Sequence, residues 1–437
     1  VSYILDHSGS RLIIADPTCL PVAAEAASRS NVECIGLAED GIARPGQAGL
    51  ALLEDSEAPH LDFRDFVTDE WQPICLNYTS GTTGHPKGVV YHHRGAFLNT
   101  IGNVLALGLN QNAAYLWTLP MFHCNGWCHT WAVTAAAGVH VCLERVEPEL
   151  IFQAIGKHSV THMSCAPVVL YMLLNHPARA GRDASRRITV ATGGASPTSA
   201  LISEMDSLGF DLIHLYGLTE SYGPVTLRAL DEVEAELEPA LKAEKLACQG
   251  KRHVTANRVR VVGESGGDVP ADGATIGEIV LKGNTLMAGY YHDPDATEAA
   301  FRNGQLHTGD LAVMHPDGQI EIKDRSKDVI ISGGENISSL EIESVLHRHP
   351  SVLLAAAVAA PDPKWGEIPC VFIELKAGCQ PDPDGLRHFC RDHLAGFKIP
   401  RRFVFRDLPK TATGKIQKFV LRQWAKDLSE TERGGPA

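Results

Sequence analysis

The chain has 437 residues, of which 44% are apolar and 21% charged, as is typical of globular rather than disordered or fibrous proteins. Its 39 basic and 52 acidic side chains give a net charge of −13, which disfavours nucleic acid and anionic membrane surfaces as partners. The longest uninterrupted apolar run, 352–360, is far shorter than the roughly 20 residues of a membrane-spanning helix. The 11 scattered cysteines favour reduced thiols in a cytoplasmic protein.

Short β-branched runs alternate with helical patterns from residue 1 to about Asp324. Examples are the runs 188–191, 198–208 and 211–216. This alternation predicts a large domain of layered α/β structure. Within it, polar and apolar residues alternate over 276–323 around two turns, which predicts a small antiparallel β unit.

A new α+β pattern follows Asp324. It predicts a helix over 339–347, strands over 352–359 and 369–375, and a helix over 384–394, followed by a basic stretch to Lys418 and a frayed polar tail from Ser429. We therefore expect a large α/β domain over 1–323 and a small α+β domain over 324–437.

A Gly/Ser/Thr-rich segment, YTSGTTGHPKG at 78–88, follows the strand-like residues 73–77. Its glycines let the backbone approach a ligand closely, its hydroxyls and N–H groups can donate to phosphate oxygens, and Lys87 adds a positive charge. Such a composition is also typical of plain surface loops. It is not a Walker A motif, because Pro86 precedes the lysine and Gly88 stands where a Ser or Thr must bind magnesium.

At this segment the sequence resembles the adenylate-forming superfamily of acyl-CoA synthetases, amino-acid adenylation domains and luciferases. The resemblance recurs in the superfamily's order at HCNGW (123–127), GGA (193–195), YGLTE (216–220), TGD (308–310), DRSKD (324–328), GGEN (333–336) and PKTATGK (409–415). It covers essentially the whole chain. Val1 aligns inside the superfamily's N-terminal domain, so we expect the large domain to be N-terminally incomplete.

The resemblance implies a site for ATP and Mg²⁺. Phosphate-binding and nearby backbone positions would be Thr79, Ser80, Gly81, Thr82, Thr83, Gly84, Lys87 and Gly217. By the same resemblance Tyr216 stacks on adenine, Thr219 contacts the α-phosphate, Asp310 binds the ribose diol, and Glu220 holds magnesium with Thr83. The residues Gly193, Gly194 and Ala195 would line the adenine and acyl group, and Arg325, Gly333, Gly334 and Glu335 would complete the nucleotide and thiol side. An aspartate in a glycine turn is otherwise a common turn cap.

Three further positions gain a role only through the resemblance. Lys415, which alone is an ordinary surface lysine, would enter the site and bridge the acyl carboxylate and the α-phosphate. Lys327, otherwise a solvated junction residue, would be the hinge of the small domain. His123, otherwise a core histidine, would shield the tunnel through which the thiol of coenzyme A arrives.

The motif HCNGW is most similar to the branch that activates short- and medium-chain acids, including methylmercaptopropionate-CoA ligases. Trp127, with Gly126 and Gly193, would close the acyl pocket, and the uncharged CNGW segment offers no partner for a substrate ammonium group. The expected function is an AMP-forming acyl-CoA ligase with small-molecule partners only, and a homodimer stays open. The alternatives are an inactive nucleotide-binding homologue and an adenylating enzyme with another acceptor.

Cys124 and Cys128, flanked by His123 and His129, offer a second interpretation as metal ligands. They lack a second ligand pair at zinc spacing, so we favour buried thiols.

Overall fold

The computed structural model describes residues 1–37, 47–48, 67–79, 86–193, 199–411 and 415–433. It divides into two compact units, residues 1–94 with 287–297 and residues 95–286 with 298–437. The helices of the described residues are Ser2–Ser8, Leu20–Ser30, His93–Leu107, His129–Ala135, Pro148–His158, Pro167–Leu174, Ser199–Ser207, Glu232–Ala235, Pro239–Ala247, Pro294–Ala300, Ser339–Leu346, Pro383–His393 and Lys418–Arg433. None of them is both long and apolar enough to cross a bilayer.

The first unit contains two small sheets. One is parallel, with the strands Leu12–Ala15, Glu33–Leu37 and Gln47–Ala48. The other is antiparallel, with the strands Pro73–Tyr78, Gly88–His92 and Gly289–Tyr290. The strand predicted before the Gly/Ser/Thr-rich segment is therefore confirmed, and the segment connects two strands that pair with each other, Tyr78 facing Gly88.

A seven-stranded sheet forms the centre of the second unit. Its strands, in order, are Lys251–Arg252, Gly223–Arg228, Phe210–Leu218, Ile188–Gly193, His162–Cys165, Ala114–Trp117 and Val139–Cys142. The last five are mutually parallel, and fully buried apolar residues such as Leu170, Val190 and Phe210 cover the sheet. Parallel strands joined by helices confirm the predicted α/β layers.

The predicted antiparallel β unit is confirmed and is larger than expected. Its strands are Arg258–Val262, Gly277–Lys282, Gln305–Met314, Phe301–Arg302 and Ile320–Arg325. The first of these precedes the region that the alternating pattern marked, because burial of one face extends the sheet beyond the clearest alternation.

The C-terminal sheet contains the strands Glu335–Ile337, Ile330–Ser332, Gly366–Leu375, Val352–Asp362 and Arg402–Phe405. Apolar clusters cover both of its faces, one including Ile342 and Leu386 and the other Leu421 and Ala425. The mixed α/β and α+β fold class is thus as expected, whereas the division into 1–323 and 324–437 stays a prediction.

The prediction of a frayed tail from Ser429 is wrong for the residues up to Arg433. The helix Lys418–Arg433 continues through it, and Ser429 is only 2% exposed. The Ser429 hydroxyl donates to Ala425 O at 2.9 Å and accepts from Arg402 Nη1 at 2.5 Å. The polarity of this stretch therefore did not mark the end of the helix. A polar residue such as Ser429 can be buried within it, because its hydroxyl bonds to the backbone of the same helix and to the Arg402 side chain of a neighbouring strand.

Candidate active site

A buried carboxylate lies where three segments of the second unit meet. Asp310 is 2% exposed; its Oδ2 accepts a hydrogen bond of 2.7 Å from the Tyr216 hydroxyl, and its Oδ1 lies 2.9 Å from Arg325 Nε. Tyr216 is near the carboxyl end of a parallel strand, the edge at which open α/β sheets hold ligands. The predicted residues Tyr216, Asp310 and Arg325 are thus brought together.

The β unit fixes this geometry through its register. Asp310 and Arg325 face each other on paired strands, so their ion pair is a cross-strand contact. Gly309 has φ +72°, a left-handed conformation that a glycine adopts without steric cost, and its carbonyl accepts from Ser326 N at 2.9 Å. The Thr308 hydroxyl accepts from Asp310 N at 3.1 Å. The predicted turn before Asp310 is wrong, because residues 308–310 lie inside the strand Gln305–Met314, where its register with the strand Gly277–Lys282 shifts. This bulge directs the carboxylate.

Burial and charge shape the chemistry of this cluster. Burial, followed by the negative charge of Asp310, holds the pKa of Tyr216 well above its usual value, so the phenol stays a donor. Each carboxylate oxygen of Asp310 has one protein donor, and an oxygen of this kind has a second lone pair. The cluster can therefore accept hydrogen bonds from a diol without losing its internal contacts.

Lys415 lies within range of this cluster. The positive charge of Arg325, followed by burial, lowers the pKa of Lys415 to about 8, while Asp310 acts in the opposite direction. Solvent still reaches the lysine side chain. Thr411 N donates to Lys415 O at 2.8 Å, and Lys410 and Ile416 form an antiparallel bridge. The ammonium thus sits among other cations and is suited to receive an anion between them.

Lys327 shares this electrostatic environment. Burial, followed by the charge of Arg325, lowers the pKa of Lys327. It lies in the turn after the strand Ile320–Arg325, and the next sheet begins with the strand Ile330–Ser332. The predicted hinge residue is therefore located between two sheets.

The motif at 123–128 forms a left-handed turn. Cys124, Asn125, Gly126, Trp127 and Cys128 have consecutive φ values between +45° and +64°. The turn is closed by hydrogen bonds from the N–H groups of its last two residues to the carbonyls four residues earlier, at 3.2 and 3.3 Å. Such a conformation costs on the order of 1 kcal/mol for each non-glycine residue, so tertiary contacts must stabilise it.

The walls around this turn require glycine at two positions. A Cβ at Gly126 would lie 2.5 Å from the Trp117 ring, and one at Gly193 would lie 2.7 Å from Leu215 O and 3.2 Å from the Trp127 ring. The predicted pocket residues Gly126, Trp127 and Gly193 are thus neighbours, and Trp117 is an additional wall that the sequence did not reveal.

The two cysteines of this turn are buried thiols, as we favoured. Cys124 Sγ donates to the Thr219 hydroxyl at 3.7 Å, and Cys128 Sγ to Ala96 O at 4.0 Å. His129 Nδ1 instead forms a 2.9 Å hydrogen bond with the Tyr115 hydroxyl. Among the described residues, the group of side chains that could together hold a metal ion does not include Cys124 or Cys128.

His123 lies at the start of the same turn. Burial, followed by the charge of Lys415, lowers the pKa of His123. The imidazole is therefore neutral near pH 7, and it lies within electrostatic range of Lys415.

Glu220 and Thr219 follow Tyr216 in a short 3-10 helix, Thr219–Ser221. The Ser221 hydroxyl accepts from Leu218 N at 2.9 Å and donates to Gly223 O at 2.8 Å. A Cβ at Gly217 would lie 2.1 Å from Gly223 O, so this tight turn excludes a side chain there. Glu220 is partly exposed, and one such carboxylate next to substrate phosphates fits magnesium.

The Gly/Ser/Thr-rich segment is described only at its ends. Thr79 N donates to Lys87 O at 3.0 Å, and Lys87 Nζ lies 4.7 Å from the centre of the Tyr290 ring. The predicted residues outside the described part of the chain are Ser80, Gly81, Thr82, Thr83, Gly84, Gly194 and Ala195.

The GGEN motif forms the turn between the strands Ile330–Ser332 and Glu335–Ile337. Gly333 and Gly334 have φ +62° and +90°, and Gly333 N donates to Trp365 O at 2.8 Å. A Cβ at Gly333 would lie 2.7 Å from the Trp365 ring, so this turn packs on tryptophan and leaves Glu335 exposed.

A cysteine, a histidine and a glutamate lie close together outside this site, at Cys248, His315 and Glu321. The glutamate is already paired at both oxygens, with His315 Nε2 at 3.0 Å and Lys323 Nζ at 2.5 Å. Ordinary ion pairing accounts for this cluster, and the lysine opposes a bound cation.

These features match a known family of enzymes. The chain matches the AMP-binding enzyme family over residues 1–291 and the AMP-binding enzyme C-terminal domain over 341–415. The chain therefore belongs to the AMP-binding enzyme family.

Relatives within this family are similar over most of the chain. It is 47% identical to the acetate-CoA ligase CCL3 of Humulus lupulus over 86% of this chain and 67% of that protein. It is 41% identical to the peroxisomal acetate/butyrate-CoA ligase AAE7 of Arabidopsis thaliana over 99% and 80%. Among solved structures, o-succinylbenzoate CoA synthetase from Bacillus subtilis, in complex with its acyl-adenylate intermediate, matches with a TM-score of 0.79, 28% identity and coverage of 96% and 80%.

Proposed function

We propose that the protein is an AMP-forming acyl-CoA ligase that activates short-chain carboxylic acids as acyl-adenylates and transfers the acyl group to coenzyme A. The observation that carries this proposal is the convergence of Lys415 with the Tyr216, Asp310 and Arg325 cluster, which are distant in sequence. The names of relatives at 41% and 47% identity support coenzyme A as acceptor and acetate or butyrate as the size of acid.

In the first half-reaction, a carboxylate oxygen of the acid bonds to the α-phosphorus of ATP. The bond from that phosphorus to the bridging oxygen breaks, and pyrophosphate leaves. Both reactants are anions, so positive charge fixed between them stabilises the transition state. We assign this charge to Lys415 and assign the ribose diol to Asp310, whose carboxylate Tyr216 and Arg325 hold in place.

Glu220 is assigned to the magnesium ion that accompanies ATP. When bound, magnesium neutralises phosphate charge. Thr219, whose hydroxyl is held by Cys124, is assigned to the α-phosphate. The glycines and hydroxyls of the 79–87 segment are assigned to the phosphates, with Thr83 as a further magnesium ligand.

In the second half-reaction, the sulfur of coenzyme A attacks the carbonyl carbon of the adenylate. The bond from that carbon to the AMP oxygen breaks, AMP leaves, and the proton of the thiol passes to solvent. We assign the change between half-reactions to rotation about Lys327, which withdraws Lys415 and brings the 333–335 turn towards a thiol path shielded by His123.

The acid pocket is assigned to Trp127, Gly126 and Gly193. Because Trp127 already lies against the backbone at Gly193, it shortens the space available to an acyl chain. Trp127→Ala should raise kcat/KM for hexanoate relative to butyrate. An unchanged ratio would remove Trp127 from the size limit but would leave the proposed activity intact.

Pyrophosphate release with ATP and magnesium tests the proposal. Acetate, 2-methylpropanoate, butyrate and decanoate are supplied in turn, with and without coenzyme A, and the acyl-CoA product is measured by mass. We expect turnover to require coenzyme A and to favour the short acids. Bound ATP with no pyrophosphate from any acid would support the inactive nucleotide-binding homologue, and pyrophosphate without acyl-CoA would point to another acceptor.

Two relatives are named as peroxisomal, so the cytoplasmic location stays a prediction, as does a homodimer. Microscopy of the tagged protein and light scattering of the purified protein test these two points.

A further inference from the structure

The helix Lys418–Arg433 begins three residues after Lys415, and charged contacts tie it to the helix Ser339–Leu346 and to the turn after the strand Ile320–Arg325. Lys418 Nζ lies 2.7 Å from Glu343 Oε1 and donates to the Ser339 hydroxyl at 2.7 Å. One turn further along, Arg422 Nη1 lies 2.5 Å from Asp328 Oδ1. The side chains of Lys418 and Glu343 are only 17% and 13% exposed, so little solvent screens their attraction.

These contacts lead towards the Asp310 cluster. The Ser339 hydroxyl that accepts from Lys418 donates in turn to Asp324 Oδ1 at 3.0 Å. Asp324 is 2% exposed, and its Oδ1 also accepts from Arg325 N at 2.7 Å. Arg325 is the residue that pairs with Asp310. A continuous set of hydrogen bonds thus connects the start of the C-terminal helix with the backbone of Arg325.

Lys415 itself has an unfavourable position in the absence of substrate. Arg325 and Lys327 both repel its ammonium group. The negative charges of Asp310 and Asp328 attract the ammonium group and oppose this repulsion. Because Arg325 and Lys327 are cations, they cannot draw the Lys415 ammonium group towards the Asp310 cluster. Lys418 and Arg422 instead have carboxylate partners, and their contacts fix the same short segment.

We propose that Lys418 and Arg422 are positioning residues, whose ion pairs with Glu343 and Asp328 place Lys415 beside the Asp310 cluster for adenylate formation. This inference rests on the proposed function. Neither residue contacts the reacting groups. Their contacts supply the free energy that holds the 415 segment in place before the substrate anions arrive.

Separate measurement of the two half-reactions tests this inference. Lys418→Met and Arg422→Met should each lower kcat for acid-dependent pyrophosphate release by about tenfold or more, because misplacing one catalytic group is costly. The KM for ATP should change much less. Conversion of supplied butyryl-adenylate and coenzyme A to butyryl-CoA should stay within about twofold, since Lys415 is not assigned to that step.

The control is Lys426→Met on the same helix, where the lysine is 58% exposed and lies 4.0 Å from Glu430. It should behave as wild type in both half-reactions. Arg422→Lys should recover part of the adenylation rate, because it retains the charge facing Asp328. Thermal unfolding of each variant identifies any that fail to fold, and for those the double exchange Lys418→Glu with Glu343→Lys replaces the single variant.

Equal losses in both half-reactions, or no loss in folded variants, would overturn the inference. Failure of the proposed function is distinguishable, because the wild-type protein would then release no pyrophosphate with any acid.

Discussion

Two segments that bear cations, 79–87 and 410–418, are fixed at their ends by different contacts. The first is closed by backbone pairing and by neutral hydrogen bonds from the helix Ser2–Ser8: the Tyr3 hydroxyl donates to Pro86 O at 3.2 Å, and His7 Nδ1 bonds the Tyr78 hydroxyl at 2.9 Å. The second is fixed by ion pairs, including Lys410 Nζ with Glu374 Oε2 at 2.8 Å.

The difference has a physical consequence. Neutral hydrogen bonds respond little to ionic strength, whereas ion pairs weaken as salt rises, more so where solvent reaches them. The described ends of the first segment are therefore held in their unit irrespective of charge. The described ends of the second are held by contacts that can be altered by salt, by pH and by the charge of a substrate.

Lys415→Ala should have the largest effect. Removing one group that stabilises developing charge costs about 10²- to 10³-fold in rate, so pyrophosphate release should fall by this amount. Thioester formation from supplied adenylate should continue. The matched control is Lys426→Ala, and equal loss of both half-reactions would contradict the division of roles.

Asp310→Asn should have the next largest effect. It keeps the shape of the side chain but removes the ion pair between the buried Asp310 and Arg325, whose side chain is 36% exposed. We expect the KM for ATP to rise about tenfold, and the melting temperature to fall. Asp317→Asn, at an exposed hairpin turn, is the control. Unchanged ATP affinity would separate Asp310 from nucleotide binding.

The pH dependence should report Lys415 directly. Its ammonium is charged below its pKa of about 8 and loses the charge as pH rises through that value, so kcat/KM for ATP should fall on the alkaline side. Lys327→Met removes a charge that lowers this pKa and should move the inflection to higher pH, whatever it does to the rate. An inflection that stays in place would assign it to another group.

Tyr3→Phe should have the smallest effect. The ring and its stacking on His7 are retained, and the hydrogen bond to Pro86 O is lost. One such bond contributes about 1 kcal/mol, so the KM for ATP should rise at most about fivefold. Raising the salt concentration should leave this ratio of KM values unchanged. A salt-dependent Tyr3→Phe effect would break the comparison.

The sequence located the elements whose signals are local. Alternation and apolar runs identified the strand that leads to Tyr216 and those of the C-terminal sheet, because burial on one or both faces imposes a short repeat. The glycine motifs marked two positions where positive φ is required, Gly333 in a tight turn and Gly309 at a bulge within a strand.

The sequence did not disclose contacts that depend on strand register or on distant segments. The pairing of Arg325 with Asp310 follows from which residues face each other across two strands. The left-handed turn at 124–128 has one glycine in five residues, so nothing local predicts it. The C-terminal helix was hidden by its polarity, although Leu421 and Ala425, one turn apart, are fully buried beside Lys418 and Arg422.

The left-handed turn also bears on the order in which the protein folds. Its own backbone opposes its native shape at Cys124, Asn125, Trp127 and Cys128, so the stretch gains order only after neighbours such as Trp117 and Thr219 are in place. A segment of this kind forms late in folding. Mutational φ-values, which compare the effect of a substitution on the folding rate with its effect on stability, should therefore be near zero there. Substitutions there should change the rate of unfolding and leave the rate of folding nearly untouched. The pocket that we assign to the acid can therefore be redesigned with little effect on the rate of folding.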